Sequence, residues 1–177
     1  KLESDEKHQL ARKVGMLFQQ GALFDTMTTL ENVEFPIREH YELPEDEIHS
    51  QAKDLLTKVN LGDSFDKRPS ELSGGMQRRL GIARALALNP EVIFYDDPGA
   101  GQDPIQSDQV TTLMMDFKKK NNSTLIVTTS NMKVAYKIAD RIIMLVGEDI
   151  IDAGTPAQTK NHSDPRIQQF IKGDVIG

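Results

Sequence analysis

Cysteine is absent from all 177 residues, which excludes a disulfide framework and any thiolate metal site. Long apolar runs are missing too. No uninterrupted stretch approaches the ~20 residues that a bilayer-crossing helix needs. An excess of basic residues is also lacking: 21 Lys and Arg stand against 27 Asp and Glu, a net charge of −6 that argues against a general nucleic-acid surface. No internal repeat or low-complexity segment is apparent. What is present is a mixed chain, 38% hydrophobic, long enough to bury one sizeable core.

Apolar periodicity sorts this chain into alternating helices and strands. Residues 1–13 are charged, with Leu2 and Leu10 as sparse apolar positions, and read as a helix or linker into a strand over 14–18. Thr28 or Thr29 can cap a helix beginning at Leu30, which Pro36 is expected to interrupt. Residues 45–60 carry Ile48, Ala52, Leu55, Leu56 and Val59 on one helical face. Asp103-Pro104 is a strong helix start, followed by a stripe of Val110, Leu113, Met114 and Phe117. Lys118 to Lys120 then complement the carboxyl end of the helix dipole. Residues 124–129 read as a buried strand, 132–139 as a helix and 141–146 as a strand. A turn at 147–149 and residues 150–153 complete a small hairpin before a terminal helix. Strands alternating with helices predict an α/β chain with a mainly parallel sheet.

Two segments carry the chemistry. In Leu72-Ser73-Gly74-Gly75-Met76-Gln77-Arg78-Arg79, Ser73 can cap a helix whose free N–H groups favour an anion, while Gly74 and Gly75 let backbone approach a ligand. An ordinary capped helix is the alternative. In Val92-Ile93-Phe94-Tyr95-Asp96-Asp97, four apolar residues fit a strand buried on both faces, delivering Asp96 to the carboxyl end of a sheet. Such a carboxylate suits Mg²⁺ against phosphate oxygens, and Asp97 beside it suits a base or water-positioning group. Two solvated aspartates opening a turn are the alternative. Together the segments imply nucleotide phosphates and a magnesium ion.

The order of segments resembles that of the ATP-binding-cassette (ABC) ATPases over nearly the whole chain. Phe18-Gln19 resembles their Q-loop, residues 72–77 their signature motif, residues 92–97 their Walker B strand and Gly101-Gln102-Asp103-Pro104 their D-loop; residues 129–131 fall where their switch-histidine segment lies. The resemblance implies a P-loop NTPase-like fold in one domain over 1–177. Its sheet core would be 1–23 and 90–146, its inserted helical subdomain 24–89, and its C-terminal hairpin and helix 147–177. It implies ATP and Mg²⁺ as cofactors. Catalytic positions are then Asp97, Gln19 and Ser130, metal positions Asp96 and Gln19, and nucleotide contacts Ser73, Gly74, Gly75, Met76, Gln77 and Asp103. It also implies a head-to-tail dimer with a second copy and a transmembrane permease docking near Leu23, Phe24, Met27, Leu30 and Phe35, although residue by residue these five suit a small core better. The Gly75-Met76 step, the Gly-Gln-Asp-Pro D-loop and the ending at 163–173 are similar to the Mla-type lipid-transport ATPases of Gram-negative envelopes. That implies a lipid-carrier system and a place on the cytoplasmic face of the inner membrane.

Three departures qualify the expected activity. No Gly-Lys dipeptide occurs, so the Walker A loop, Gly-x-x-x-x-Gly-Lys-Ser/Thr, is expected upstream, and this chain alone is expected to be inactive. Asp97 stands where the family usually has glutamate, one methylene or about 1.5 Å further back. Ser130 stands where histidine is usual, and the four histidines (His8, His40, His49, His162) lie elsewhere. Serine can donate a hydrogen bond but carries no imidazolium charge. Both substitutions predict slow hydrolysis. Two alternatives follow: a non-hydrolysing ATP-binding regulatory subunit, and an interaction fragment that binds no nucleotide.

Overall fold

A computed structural model describes residues 4–18, 22–97 and 104–173, in two compact units, Lys1–Thr128 and Thr129–Gly177. In the first unit, helix α1 (Ser4–Lys13) runs into strand β1 (Val14–Leu17). Strand β2 (Val92–Asp96) lies at the centre of a three-stranded parallel sheet, with β1 on one side and β3 (Thr124–Thr128) on the other. Between β1 and β2 come α2 (Thr29–His40), α3 (Glu45–Lys58), a 3-10 turn (Pro69–Glu71) and α4 (Gly74–Ala85). Helix α5 (Pro104–Asn121) provides the crossover from β2 to β3.

One face of the sheet is sealed. Leu17, Ile93 and Tyr95 are buried in a core with Leu80, Ile82, Ala83 and Met114. The other face differs from the sequence expectation that β2 is covered on both sides. Met16, Phe94 and Ile126 stand in register across the three strands and are 50%, 38% and 42% exposed. An apolar run cannot by itself report which of its alternating side chains finds a partner, and here only every second one does. Gly15 explains how closely the sealed face packs: a Cβ there would lie 2.5 Å from the Ala85 carbonyl oxygen and 2.9 Å from Pro90.

The helical region follows its sequence pattern. Thr28 caps α2 in a reciprocal box with Glu31, and Ile48, Ala52, Leu56 and Val59 of the α3 segment are buried as a stripe. Pro36, expected to interrupt α2, instead lies inside it. Its missing N–H removes one ladder bond, a penalty of roughly 3 kcal/mol, yet Val33 and Ile37 on either side are fully buried and hold the helix to His40.

In the second unit, α6 (Met132–Ile138) precedes an antiparallel hairpin of β4 (Ile142–Val146) and β5 (Asp149–Gly154), followed by α7 (Pro156–Lys160) and α8 (Pro165–Lys172). The two-residue turn has Gly147 at φ +63°, the positive value such hairpin turns require. Ile142, Met144, Val146 and Ala153 bury one face of the hairpin with Ile167. The sequence reading grouped residues 141–146 with the sheet core; β4 pairs with β5, and the parallel sheet of the described residues consists of β1, β2 and β3.

Candidate functional site

At the carboxyl end of β2 the two aspartates stand under control of Thr128. Register pairs Asp96 with Thr128, whose hydroxyl donates to Asp96 Oδ1 at 2.6 Å. The Asp97 amide donates to the Thr128 carbonyl at 3.0 Å and reaches its hydroxyl oxygen at 3.3 Å. Asp97 adopts φ +39°, a left-handed conformation that aspartate tolerates better than most residues, so the chain turns sharply off the strand line there. Asp96 is exposed and Asp97 half-buried. A hydroxyl donor on one Asp96 oxygen fixes the carboxylate's rotamer. Tyr95, immediately before, points into the core; its hydroxyl is buried without a partner, and burial pushes its phenol well above the ordinary range.

Ser73 opens α4. Its hydroxyl accepts from the Met76 amide at 3.3 Å, so the cap expected from sequence forms. A Cβ added at Gly74 would meet no atom within 4 Å, so packing inside the chain does not demand glycine there. Met76 packs against the main core. Gln77 spends its amide on the preceding turn, donating to the carbonyls of Pro69 at 2.7 Å and Leu72 at 3.3 Å. Gly75 and Arg79 line a cleft of about 410 Å³ with Asn60, Asp108 and Asp116, and the Arg79 Nε is buried with no hydrogen-bond partner.

Gln19 and Asp103 lie outside the described residues. Ser130 falls in the second unit, exposed in the bend before α6, where Asn131 caps the helix by accepting from the Lys133 amide at 3.0 Å. Of the five apolar residues named for a docking groove, Leu30 is buried in the core and Leu23 packs against it. Phe24 is 38% exposed and meets Phe35 edge-on at 4.9 Å.

Three residues that the sequence reading left without a role organise this region. Thr128 braces both aspartates. Asn32, fully buried, accepts from the Phe24 amide at 2.9 Å and donates to the carbonyls of Phe24, Met27 and Thr28. Arg84, on α4, donates to the Ala22 carbonyl at 2.6 Å and lies over the Phe24 ring. A polar residue inside the apolar stripe of α2 was a visible signal for Asn32 alone.

Mg²⁺ fits the donor set. Among the described residues no group of three His, Cys, Asp or Glu side chains converges, so a magnesium ion at Asp96 would draw its other ligands from phosphate oxygens and water, as this ion commonly does.

A family model described as "ABC transporter" matches residues 1–100. The chain belongs to the ABC transporter family. Within that family it is 40% identical over 177 residues to the intermembrane phospholipid transport system ATP-binding protein MlaF of Haemophilus influenzae, covering all of this chain and 67% of that protein. It is 36% identical over 172 residues to a probable ribonucleotide transport ATP-binding protein of Mycobacterium tuberculosis H37Rv, covering 97% of this chain and 48% of that one. A solved ABC structure, the dimeric post-hydrolysis state of the cassette MJ0796 bound to ADP and Pi, superposes with a TM-score of 0.74 at 32% identity, over 85% of this chain and 68% of the other. The chain thus carries an ABC ATPase fold, α/β with a parallel sheet.

Proposed function

We propose that this chain belongs to an ABC transporter ATPase subunit that couples ATP binding and hydrolysis to phospholipid movement across a Gram-negative envelope. The observation that carries the nucleotide chemistry is the Thr128-braced Asp96 at the end of the central parallel strand, a position suited to Mg²⁺. Likeness to MlaF supports phospholipid as cargo. A lipid-carrier system is the proposed associate and the cytoplasmic face of the inner membrane the proposed location. In this reading Asp97 acts as general base, Gln19 meets metal or attacking water, and Ser130 donates a hydrogen bond to a phosphate oxygen. Ser73, Gly74 and Gly75 face the nucleotide of a second copy across a head-to-tail dimer. The bare side of Gly74 supports that approach. Gln77 and Met76 contribute by holding the turn, and Asp103 contributes at the dimer contact. Residues 24–89 form the helical subdomain, with Phe24 the outward element of a permease dock.

Asp97 and Ser130 favour a second reading, in which ATP binding closes the dimer and hydrolysis is slow. Turnover and binding in the intact gene product decide between them. Asp96→Asn is expected to abolish turnover. Asp97→Glu, which restores reach to the base, is expected to raise kcat about tenfold or more. Tight Mg-ATP binding with negligible turnover in both wild type and Asp97→Glu establishes the switch. A wild-type rate typical of the family, unchanged by Asp97→Glu, removes the slow-hydrolysis reading.

A further inference from the structure

Arg84 links two segments 62 residues apart in sequence. From α4 its guanidinium donates to the Ala22 carbonyl at 2.6 Å and lies 5.2 Å from the centre of the Phe24 ring. Arg84 is half-buried, and burial shifts its pKa downward, so the cation is partly desolvated where it makes these contacts. The segment it holds is the one leaving Gln19. Ala22 adopts φ +47°, an uncommon conformation for a residue with a Cβ, and the Phe24 backbone is held at both its amide and its carbonyl by the Asn32 side chain. The same helix that carries Arg84 begins at the Ser73 cap, eleven residues away, which is about 16 Å along a rigid α-helix.

We propose that Arg84 is a positioning residue that joins the segment after Gln19 to the helix bearing Ser73 and Gly74, so that the two move as one body. A push on the outward-facing Phe24 then reaches the start of α4 through the guanidinium, without passing through the sheet. Arginine suits this task because its planar fork donates to a carbonyl while its face stacks on a ring, which lysine cannot do at once. The proposal rests on the ATPase reading given above.

These 177 residues hold no cysteine, so a labelling test needs only that any cysteine outside them is first replaced by serine. In the intact gene product, Asp25→Cys carries an environment-sensitive fluorophore on the exposed part of this segment, and Mg-ATP is titrated while binding is followed separately by equilibrium dialysis. In wild type, ATP changes the emission at position 25. Arg84→Met is expected to cut that change by about fivefold or more, the scale of a typical coupling between sites, while the half-saturating ATP concentration moves less than about twofold. Arg84→Lys is expected to restore part of the response. Ile48→Val, a core change remote from the strut, controls for destabilisation and should leave the amplitude intact. Full response in Arg84→Met, or an equal loss in Ile48→Val, overturns the proposal. ATP binding without any change at position 25 in wild type overturns it alone. No ATP binding in wild type overturns the ATPase reading and this proposal with it.

Discussion

The helical region between β1 and β2 and the C-terminal unit fasten their elements with different balances of buried and surface ties. In the helical region three buried side chains carry most of the polar ties, and Arg38 pairs with Glu45 at the surface. Asn32 binds four backbone groups, Thr29 binds the Lys67 carbonyl through both its amide and its hydroxyl, and Glu34 holds Arg38 at 3.0 Å and His49 at 2.6 Å, all three side chains within the interior. In the C-terminal unit one buried hydroxyl, Thr159, donates to the Ala153 and Thr155 carbonyls, and the charged ties are surface ion pairs: Arg141 with Asp152, and Arg166 with Asp164 and Asp149. A buried polar group must keep its partners, because losing one leaves a desolvated donor or acceptor; a surface pair contributes little and fades with salt. The helical region is therefore built to hold a fixed geometry, which suits the platform carrying Ser73 and Phe24. The hairpin unit is held mainly by its small apolar cluster around Ile167.

The contrast is tested most severely at Asn32. Replacing it with alanine strips partners from the Phe24 amide and from three carbonyls at once, and is expected to destabilise the first unit by about 3 kcal/mol. A urea titration with unchanged slope measures the loss. Arg141→Ala should shift the midpoint barely at all, and an equal shift from both would erase the distinction between the regions.

Gly15 probes how firmly that platform meets the sheet. With the Ala85 carbonyl and Pro90 so near, Gly15→Val must displace backbone rather than a flexible side-chain end. The expected cost is about 2 kcal/mol, read from the same titration. Recovery of wild-type stability would mean that the end of α4 yields easily, and would weaken the view of α4 as a rigid lever.

Much of this contrast was open to a reader of the sequence, and the reasons it was not wholly so are physical. The stripe Ile48, Ala52, Leu56 is a local signal, as are the caps at Thr28 and Ser73, because helix periodicity and capping involve residues three or four apart. The order of the motifs was likewise legible. Thr128 as the brace of Asp96 depends on strand register, and Arg84 as the partner of Ala22 depends on packing across 62 residues; neither leaves a local trace. Pro36 misled because a strong local rule was overridden by burial on both sides of it. The strand faces misled because continuous apolar runs name candidates for burial without saying which face is covered.

The hairpin supplies a smaller effect. Ile143, Leu145 and Ile150 are 62%, 75% and 75% exposed on one face, so they add little to the stability of this unit. Leu145→Thr places a β-branched residue on the strand and is expected to change stability by no more than about 0.5 kcal/mol while raising solubility. A loss of several times that size, seen in thermal melts, would show that the exposed face is engaged in solution and that the hairpin does not stand on its inner cluster.

The smallest effect concerns acid. Asp164 caps α8 and is held down to about 2 first by hydrogen bonds from the Arg166 guanidinium and then by the Arg166 amide. In the unfolded chain an aspartate titrates near 3.9, so the native state binds fewer protons across that interval. The contribution is therefore complete above about pH 4 and disappears as pH falls through about 2. Because the pair is exposed, added salt should shrink the shift, and Arg166→Gln should return the Asp164 carboxyl to the ordinary range. A carboxyl-detected NMR titration reads both. The Asn32 carboxamide gains no proton over the same interval, so the second unit should loosen at its last helix while these ties of the first persist. An Asp164 carboxyl that titrates normally in the native protein would remove its ion pair with Arg166 from the account and leave α8 held mainly by Ile167, Ile171 and the Gln168 amide.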